Sequence, residues 1–234
     1  MQVAVLAGGL GTRLRDSLPA GTPKPMAPVA GRPFLEHVLD QAVARGADRF
    51  LLLVSHGADV IVRHFGSSYR GLPVDYSTEP EPLGTGGALS HARAALAPEF
   101  VVLNGDTYAD VDLVRLTSRL AEAPLAMSLA LTADTGRFGR VEVADGIVTE
   151  LVEKGVAGTG LINAGVYACR LDLLDLLPAG RASFEQDLLE PFLPTLRPPY
   201  ELAGPVFFDI GVPADHACAD AHFRETRTRK ALDW

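Results

Sequence analysis

A short apolar run, Val3-Ala4-Val5-Leu6, opens into Ala7-Gly8-Gly9-Leu10-Gly11-Thr12-Arg13, and a second cation follows in Pro23-Lys24-Pro25. Glycines without a Cβ let backbone N–H groups close on an anion, while Arg13 offers a planar fork of donors and Lys24 a compact point charge. The combination reads as a turn that handles phosphate, rather than a strand-to-helix turn with solvated charges. Two better-known phosphate motifs do not fit. A P-loop needs Lys directly after its last Gly and then Ser or Thr, and the dinucleotide fingerprint needs Gly where Leu14 stands. Two aspartates close later apolar runs, Asp106 in Asn104-Gly105-Asp106-Thr107 and Asp209 in Phe207-Phe208-Asp209-Ile210-Gly211.

Short apolar runs alternate with amphipathic stretches, the pattern of helices packed on both faces of a mostly parallel sheet. Strands are predicted over Gln2 to Leu6, Phe50 to Val54, Val74 to Ser77 and Phe100 to Leu103. Between them, Pro33 to Arg45 carries Phe34, Leu35, Val38, Leu39 and Ala42 at i, i+1, i+4, i+5 and i+8, one helical face. Ala58 to Phe65 and Gly86 to Ala97 are the next helices, the latter with a glycine-rich entry. Carboxyl ends of strands in open α/β sheets are where ligands bind, which puts Gly8 and Asp106 on one edge. The second half carries antiparallel signals. Ala126 to Thr132, Gly139 to Val143, Ile147 to Glu153 and Leu161 to Cys169 read as strands, with an Asp145-Gly146 hairpin cue. Ser183 and Gln186 form a capping box for a helix through Leu189 that stops before Pro191 and Pro194. Val206 to Ile210 is the last strand, and a helix from Pro213 reaches about Glu225.

The 234 residues, 47% hydrophobic and 21% charged, fit one α/β domain over 1–225 with a charged, frayed tail over 226–234. Repeats, low-complexity tracts and linkers are absent. A net charge of −8 argues against general binding of nucleic acid or anionic membrane, so any phosphate binding is local. Two cysteines, Cys169 and Cys218, are too few for a disulfide framework and are expected as reduced core residues. No stretch of 18 apolar residues occurs, and the N-terminus carries no basic start or small-residue cleavage site, so a cytoplasmic protein is expected.

Leu6-Ala-Gly-Gly-x-Gly-Thr-Arg-Leu14 with Pro23-Lys-Pro-Met-x-Pro-Val29 resembles the sugar-1-phosphate nucleotidyltransferases, which join a nucleoside triphosphate to a sugar 1-phosphate and release pyrophosphate. Lys24 to Glu36, Glu81 to Ala88 and Leu103 to Thr107 are most similar to the heptose-1-phosphate guanylyltransferase branch. The resemblance spans Met1 to about Ala221 and implies a single Rossmann-like three-layer α/β/α domain with a mixed, mainly parallel central sheet. It implies catalytic roles for Arg13, Lys24 and Asp106, with Arg13 toward the departing pyrophosphate and Lys24 on the reacting phosphorus or sugar phosphate. Asp106 and Asp209 would bind Mg²⁺, which prefers few carboxylates together with phosphate oxygens and water. The nucleotide would be held by Leu6, Ala7, Gly8, Gly9, Gly11, Thr12, Glu79, Gly84, Thr85 and Gly105. Glu79 stands where relatives place a base-contacting Gln or Glu, and a carboxylate suits guanine N1–H and N2–H₂ better than uracil's single donor. Gly139, Glu153, Lys154, Asn163 and Gly165 would take the sugar phosphate, Glu153 and Asn163 its hydroxyls and Lys154 its phosphate.

No protein nucleophile is required, because the second pKa of a phosphate monoester is about 6 and the attacking oxygen is anionic near neutral pH. The six histidines show no metal-ligand spacing and are expected to be structural or surface groups. Alternatives are a mannose-1-phosphate guanylyltransferase, an ATP-using heptose-1-phosphate adenylyltransferase, and an inactive regulatory subunit that binds nucleotide sugar. A further alternative is a metal-dependent glycosyltransferase using Asp110-Val-Asp112, although Asp112 is better placed as an N-cap for Leu113 to Leu120. No long C-terminal extension of the kind some relatives carry is expected, and assembly as a homo-oligomer is compatible with the sequence.

Overall fold

Strand β1 (Gln2–Leu6) lies between β4 (Arg49–Val54) and β7 (Glu99–Asn104) and pairs with both in parallel, Leu6 falling opposite Leu53 on one side and Asn104 on the other. All three strands are apolar through their interiors because both faces are covered. Val3 and Val5, with Phe50, Leu52, Val101 and Leu103, face one core. Ala4, with Leu51, Leu53, Phe100 and Val102, faces the other. Helix α2 (Phe34–Ala44) covers the first face through Phe34, Leu35, Val38, Leu39 and Ala42, and α4 (Gly84–His91) covers the second through Ala88 and Leu89. This is the three-layer arrangement that the alternating pattern predicts.

This computed structural model describes the chain except Leu10, Asp16, Ala20, Glu153, Lys154, Val156, Asp233 and Trp234, and except the side chains of Thr12, Arg15 and residues 229–232. After β1 come α1 (Thr12–Arg15), a 3-10 turn at Lys24–Met26, β2 (Pro28–Val29), β3 (Arg32–Pro33), α2 (Phe34–Ala44) and β4 (Arg49–Val54). Next are α3 (Ala58–Phe65), β5 (Ser68–Tyr69), β6 (Leu72–Thr78), α4 (Gly84–His91), β7 (Glu99–Asn104), β8 (Thr107–Ala109) and α5 (Leu113–Ser118). Strands β9 (Leu125–Thr132), β10 (Arg140–Ala144), β11 (Ile147–Val152) and β12 (Gly160–Arg170) follow. A π-helical turn at Glu185–Leu189 runs into α6 (Glu190–Leu196), and β13 (Tyr200–Leu202), β14 (Phe207–Asp209) and α7 (Pro213–Leu232) complete the chain. The main sheet has the order β11-β10-β12-β7-β1-β4-β6-β5, with β9 pairing with β12 and β13. From β7 to β6 the pairs are parallel, whereas β12 joins β7, β9 and β10 antiparallel. None of the helices, among the described residues, is long and apolar enough to cross a membrane.

Several expectations need correction. Helix α4 begins at Gly84 and gives way to a 3-10 turn at Arg93–Ala95 instead of continuing to Ala97. That tighter turn lets the Gln2 side chain donate to Ala95 O at 2.8 Å and accept from Ala97 N at 2.6 Å. Ser183 Oγ accepts from Gln186 N at 3.1 Å as a cap should, but Asp187, not Gln186, accepts from Ser183 N at 2.7 Å. The helix also passes Pro191 and Pro194, because Pro191 falls in the first turn of α6, where N–H groups lack an intrahelical partner. Helix α7 continues beyond Glu225 to Leu232. Cys169 is buried, and burial pushes its thiol up, but Cys218 is exposed on α7 and is not a core residue. The Asp145-Gly146 hairpin is present, with both residues at positive φ (51° and 78°), as the tight turn between β10 and β11 requires.

Candidate active site

Lys24, Asp106 and Asp209 meet at the carboxyl edge of the sheet. Lys24 Nζ lies 2.5 Å from Asp106 Oδ2 and 3.6 Å from Asp209 Oδ1. The two aspartates are brought together where the predicted last strand, β14, lies antiparallel to the short β8, which the sequence did not mark, with Asp209 opposite Thr107. Ile210 N also donates to Asp106 O at 3.1 Å. Gly11 adopts φ 57°, and a Cβ there would stand 2.6 Å from Lys24 Cβ, so the glycine turn packs directly on the lysine stem. A Cβ on Gly211 would meet Lys24 Nζ at 3.5 Å and Arg13 Nη2 at 3.6 Å, which places the exposed Arg13 guanidinium at the same point.

Burial, and then the negative charge of Asp106, pushes the Asp209 carboxyl above the usual carboxylate range, against the pull of Lys24, the Gly211 N–H and Arg13. Lys24 and Arg13 offset the charge of the two carboxylates, whose oxygens converge on one point. That donor set suits a cation taking few protein ligands and completing its shell from phosphate and water. Among the described residues, no group of three or more His, Cys, Asp or Glu side chains gathers to hold a metal, so this pair stands alone. A raised carboxyl pKa means that ionising Asp209 opposes folding. This penalty is absent below the ordinary carboxylate range and grows as pH rises through it. Asp209→Asn is therefore expected to melt at higher temperature than the parent at pH 7 in EDTA, and at about the same temperature near pH 3. Added Mg²⁺ should raise the melting temperature of the parent and not of the variant. Scanning calorimetry at both pH values checks this, and equal melting at pH 7 would refute it.

Next to this cluster, a cavity of about 320 Å³ is lined by Leu6, Gly8, Gly9, Lys24, Glu79, Gly84, Thr85, Asn104, Asp106 and Arg181. Glu79 is buried at 8% exposure, with Oε2 accepting from Leu83 N at 2.8 Å. Its Oε1 would lie 3.1 Å from a Cβ on Gly8, so it faces the glycine turn. Burial pushes this carboxyl up, with the Leu83 N–H and then His91 pulling it back. Other predicted nucleotide residues serve the frame of the cavity. The Ala7 N–H donates to Leu53 O at 2.8 Å and so is spent on the sheet edge. Gly105 N donates to Leu6 O at 3.0 Å, where a Cβ would come within 2.8 Å of that oxygen. Thr85 Oγ1 accepts from Phe184 N at 2.8 Å, and Thr12 opens α1.

A second cavity, about 690 Å³, is lined by Gly139, Arg140, Glu150, Asn163, Glu185 and Glu190 among others. Gly165 does not line it. At φ 68° it makes room for Asn104, whose Nδ2 would touch a Cβ there at 2.5 Å. Glu153 and Lys154 lie outside the described residues. Sequence reasoning missed Asn104, Arg181 and Glu185. Arg181 sits in a small-residue run with no motif, and only the clamp of that run onto α4 reveals it. Ala182 N donates to Leu83 O at 2.9 Å, and Ala182 O accepts from Gly86 N and Gly87 N at 2.9 and 3.1 Å.

The Asp-x-Asp alternative finds no support in this geometry. Asp110 pairs with Arg45 Nη2 at 2.5 Å, and Asp112 caps α5 by accepting from Arg115 N at 3.0 Å. Among the histidines, His37 is buried between Val29 O and Arg32, with burial lowering its pKa.

Residues 2–224 match the model of the family described as nucleotidyl transferase. The chain is 38% identical over 218 residues to a D-glycero-alpha-D-manno-heptose 1-phosphate guanylyltransferase of Campylobacter jejuni, an alignment covering 92% of this chain and 97% of that one. It is 36% identical to the enzyme of the same description from Aneurinibacillus thermoaerophilus, covering 92% and 95%. Among solved structures, HddC from Yersinia pseudotuberculosis superposes with a TM-score of 0.82 at 36% identity, covering 95% of this chain and 99% of that one. HddC complexed with GMP-PN superposes with a TM-score of 0.81.

Proposed function

Because this chain belongs to the nucleotidyl transferase family, we propose that it transfers a guanylyl group from GTP to D-glycero-D-manno-heptose 1-phosphate, giving GDP-heptose and pyrophosphate. The observation that carries the reading is the meeting of Lys24 with Asp106 and Asp209 beside a cavity whose far wall holds the buried carboxylate of Glu79. Similarity at 36–38% identity to two heptose guanylyltransferases, each spanned almost end to end, supports the sugar and the base.

The reaction is an in-line displacement. An anionic oxygen of the sugar phosphate attacks the α-phosphorus of GTP, the bond to the β-phosphate oxygen breaks, and pyrophosphate leaves with that electron pair. With the nucleophile already ionised near neutral pH, the protein has to align the reactants and offset charge. Lys24 sits where charge builds on the phosphorus, and Arg13, at the mouth of the cluster, faces the pyrophosphate. Arg181, lining the nucleotide cavity, adds a third cation toward the phosphates. Asp106 and Asp209 would hold Mg²⁺, which supplies charge neutralisation and fixes phosphate geometry. The Gly8-Gly9 backbone admits the nucleotide closely. Glu79 Oε1 accepts from guanine N1–H and N2–H₂, and its burial makes an unpaired state costly. Asn163, Gly139, Glu153 and Lys154 belong to the sugar side.

Pyrophosphate release from a matrix of four nucleoside triphosphates against heptose, mannose and glucose 1-phosphates tests the whole reading. GTP with heptose 1-phosphate is expected to give the highest kcat/KM. A higher value for mannose 1-phosphate or ATP moves the assignment to the corresponding relative, and no release with any pair would end it. Glu79→Gln is expected to cut the preference for GTP over UTP by about tenfold or more, because an amide opposes one guanine donor with its own NH₂. An unchanged ratio would remove Glu79 from base selection.

A further inference from the structure

We infer that Glu185 is a specificity-determining residue of the sugar cavity, reading hydroxyl groups of an uncharged sugar with Oε2, the carboxylate oxygen that no described residue hydrogen-bonds; this rests on the function proposed above. The resemblance assigns sugar hydroxyls to Asn163, yet the Asn163 amide is largely committed within the protein. Its Nδ2 donates to Tyr167 Oη at 2.5 Å and to Glu185 Oε1 at 2.9 Å, and its Oδ1 accepts from Gly165 N at 3.0 Å. The buried Tyr167 hydroxyl donates to the same Oε1 at 3.2 Å. Two donors therefore fix Glu185 through one oxygen, while Oε2 has no hydrogen bond among the described residues, and the side chain lines the cavity.

The residue is also held from behind. The Phe184 ring lies 5.0 Å from that of Tyr167, its N–H donates to Thr85 Oγ1, and Glu185 begins the π-helical turn. Extra residues in a turn of this kind redirect side chains and gather at functional sites. An ionised carboxylate only accepts hydrogen bonds, so Oε2 selects donors and repels anions. The surroundings strengthen that selection. Glu150 and Glu190 line the same cavity with no ion pair among the described residues, and Arg140 is neutralised by Glu142 at 2.7 Å. Away from its phosphate, the sugar thus meets a negative field, which suits a polyhydroxyl ring or side arm and disfavours a uronic acid.

The experiment compares the parent with Glu185→Gln and Glu185→Asp in pyrophosphate release, using heptose 1-phosphate, mannose 1-phosphate and mannuronic acid 1-phosphate with GTP. Glu185→Gln can still accept from Asn163 and Tyr167 through its amide oxygen, and thermal melting verifies that it folds. Glu185→Asp keeps the charge but shortens the reach. In both variants the KM for the neutral sugar phosphates is expected to rise about tenfold or more while the KM for GTP stays unchanged. In Glu185→Gln the preference for mannose over mannuronic acid 1-phosphate is expected to fall by about tenfold. Unchanged sugar KM values and an unchanged neutral-to-acidic ratio, or a GTP KM rising in step with the sugar KM, would reduce Glu185 to a structural brace. A parent that turns over no neutral sugar 1-phosphate would overturn the function itself, which is a distinguishable failure.

Discussion

Lys24→Gln is expected to lower kcat by roughly a hundredfold to a thousandfold, the range found when one preorganised electrostatic group is removed from a site where charge develops. The lysine side chain is only 10% exposed and stands 2.5 Å from Asp106 and 3.6 Å from Asp209. Its charge therefore acts with little screening from water, and a neutral amide of similar length keeps the shape while losing that charge. The KM for GTP should change far less than kcat, because Gln keeps the aliphatic stem on which the glycine turn packs and leaves the base contacts in place. Removing the shared cation also leaves two carboxylates opposed, so the variant should depend more strongly on Mg²⁺ for thermal stability than the parent. Steady-state kinetics with pyrophosphate detection decides the matter; a loss of less than about fivefold in kcat would place Lys24 outside the reacting centre.

Gly84→Ala is expected to lower stability by about 3 kcal/mol, combining a left-handed backbone cost with a steric one. Gly84 has φ 76°, and a Cβ there would lie 2.5 Å from the Ala182 carbonyl oxygen, a backbone atom with no room to yield. That oxygen accepts from both Gly86 N and Gly87 N, so displacing it breaks the clamp between α4 and the segment carrying Arg181 and Glu185. A loss of this size corresponds to a fall of roughly 6–12 °C in Tm for a domain of this length. Both the GTP and the sugar KM should rise, since one segment lines both cavities. Gly9→Ala provides the contrast, because nothing lies within 4 Å of a Cβ there and φ is not in the left-handed region. Its melting temperature should match that of the parent, and any effect should appear in the GTP KM alone. Identical melting of Gly84→Ala and the parent would refute the packing argument.

What the sequence determines by itself is local. The three-layer domain follows from β1, β4 and β7, where unbroken apolar runs require cover on both faces, and from α2, whose single apolar stripe supplies it. The glycine turn and the two cations are legible because backbone freedom and charge are properties of residue type. The Asp112 cap and the Asp145-Gly146 turn are legible for the same reason: each is satisfied within a few residues. Resemblance carried Asp106, Asp209 and Glu79 further than residue chemistry alone allows.

The tertiary structure decides which groups converge and which are already spent. Asp209 reaches Asp106 through the β8–β14 pairing, three residues a side: the strand at Val206 to Ile210 is legible in the sequence, but its short partner β8 and their antiparallel register are not, and α7 packs against β14. Thr85 lines the nucleotide cavity while its Oγ1 accepts from Phe184 N–H, and the Ala7 N–H is taken by Leu53 O. Asn163 shares the donors and acceptors of its amide with Glu185, Tyr167 and Gly165. Arg181 and Glu185 enter the cavities only because Ala182 hydrogen-bonds across to α4. A hydrogen bond saturates its partners and acts over about 3 Å, so its outcome depends on neighbours distant in the chain. Hydrophobic periodicity, by contrast, sums over whole elements and survives in the linear order of residues.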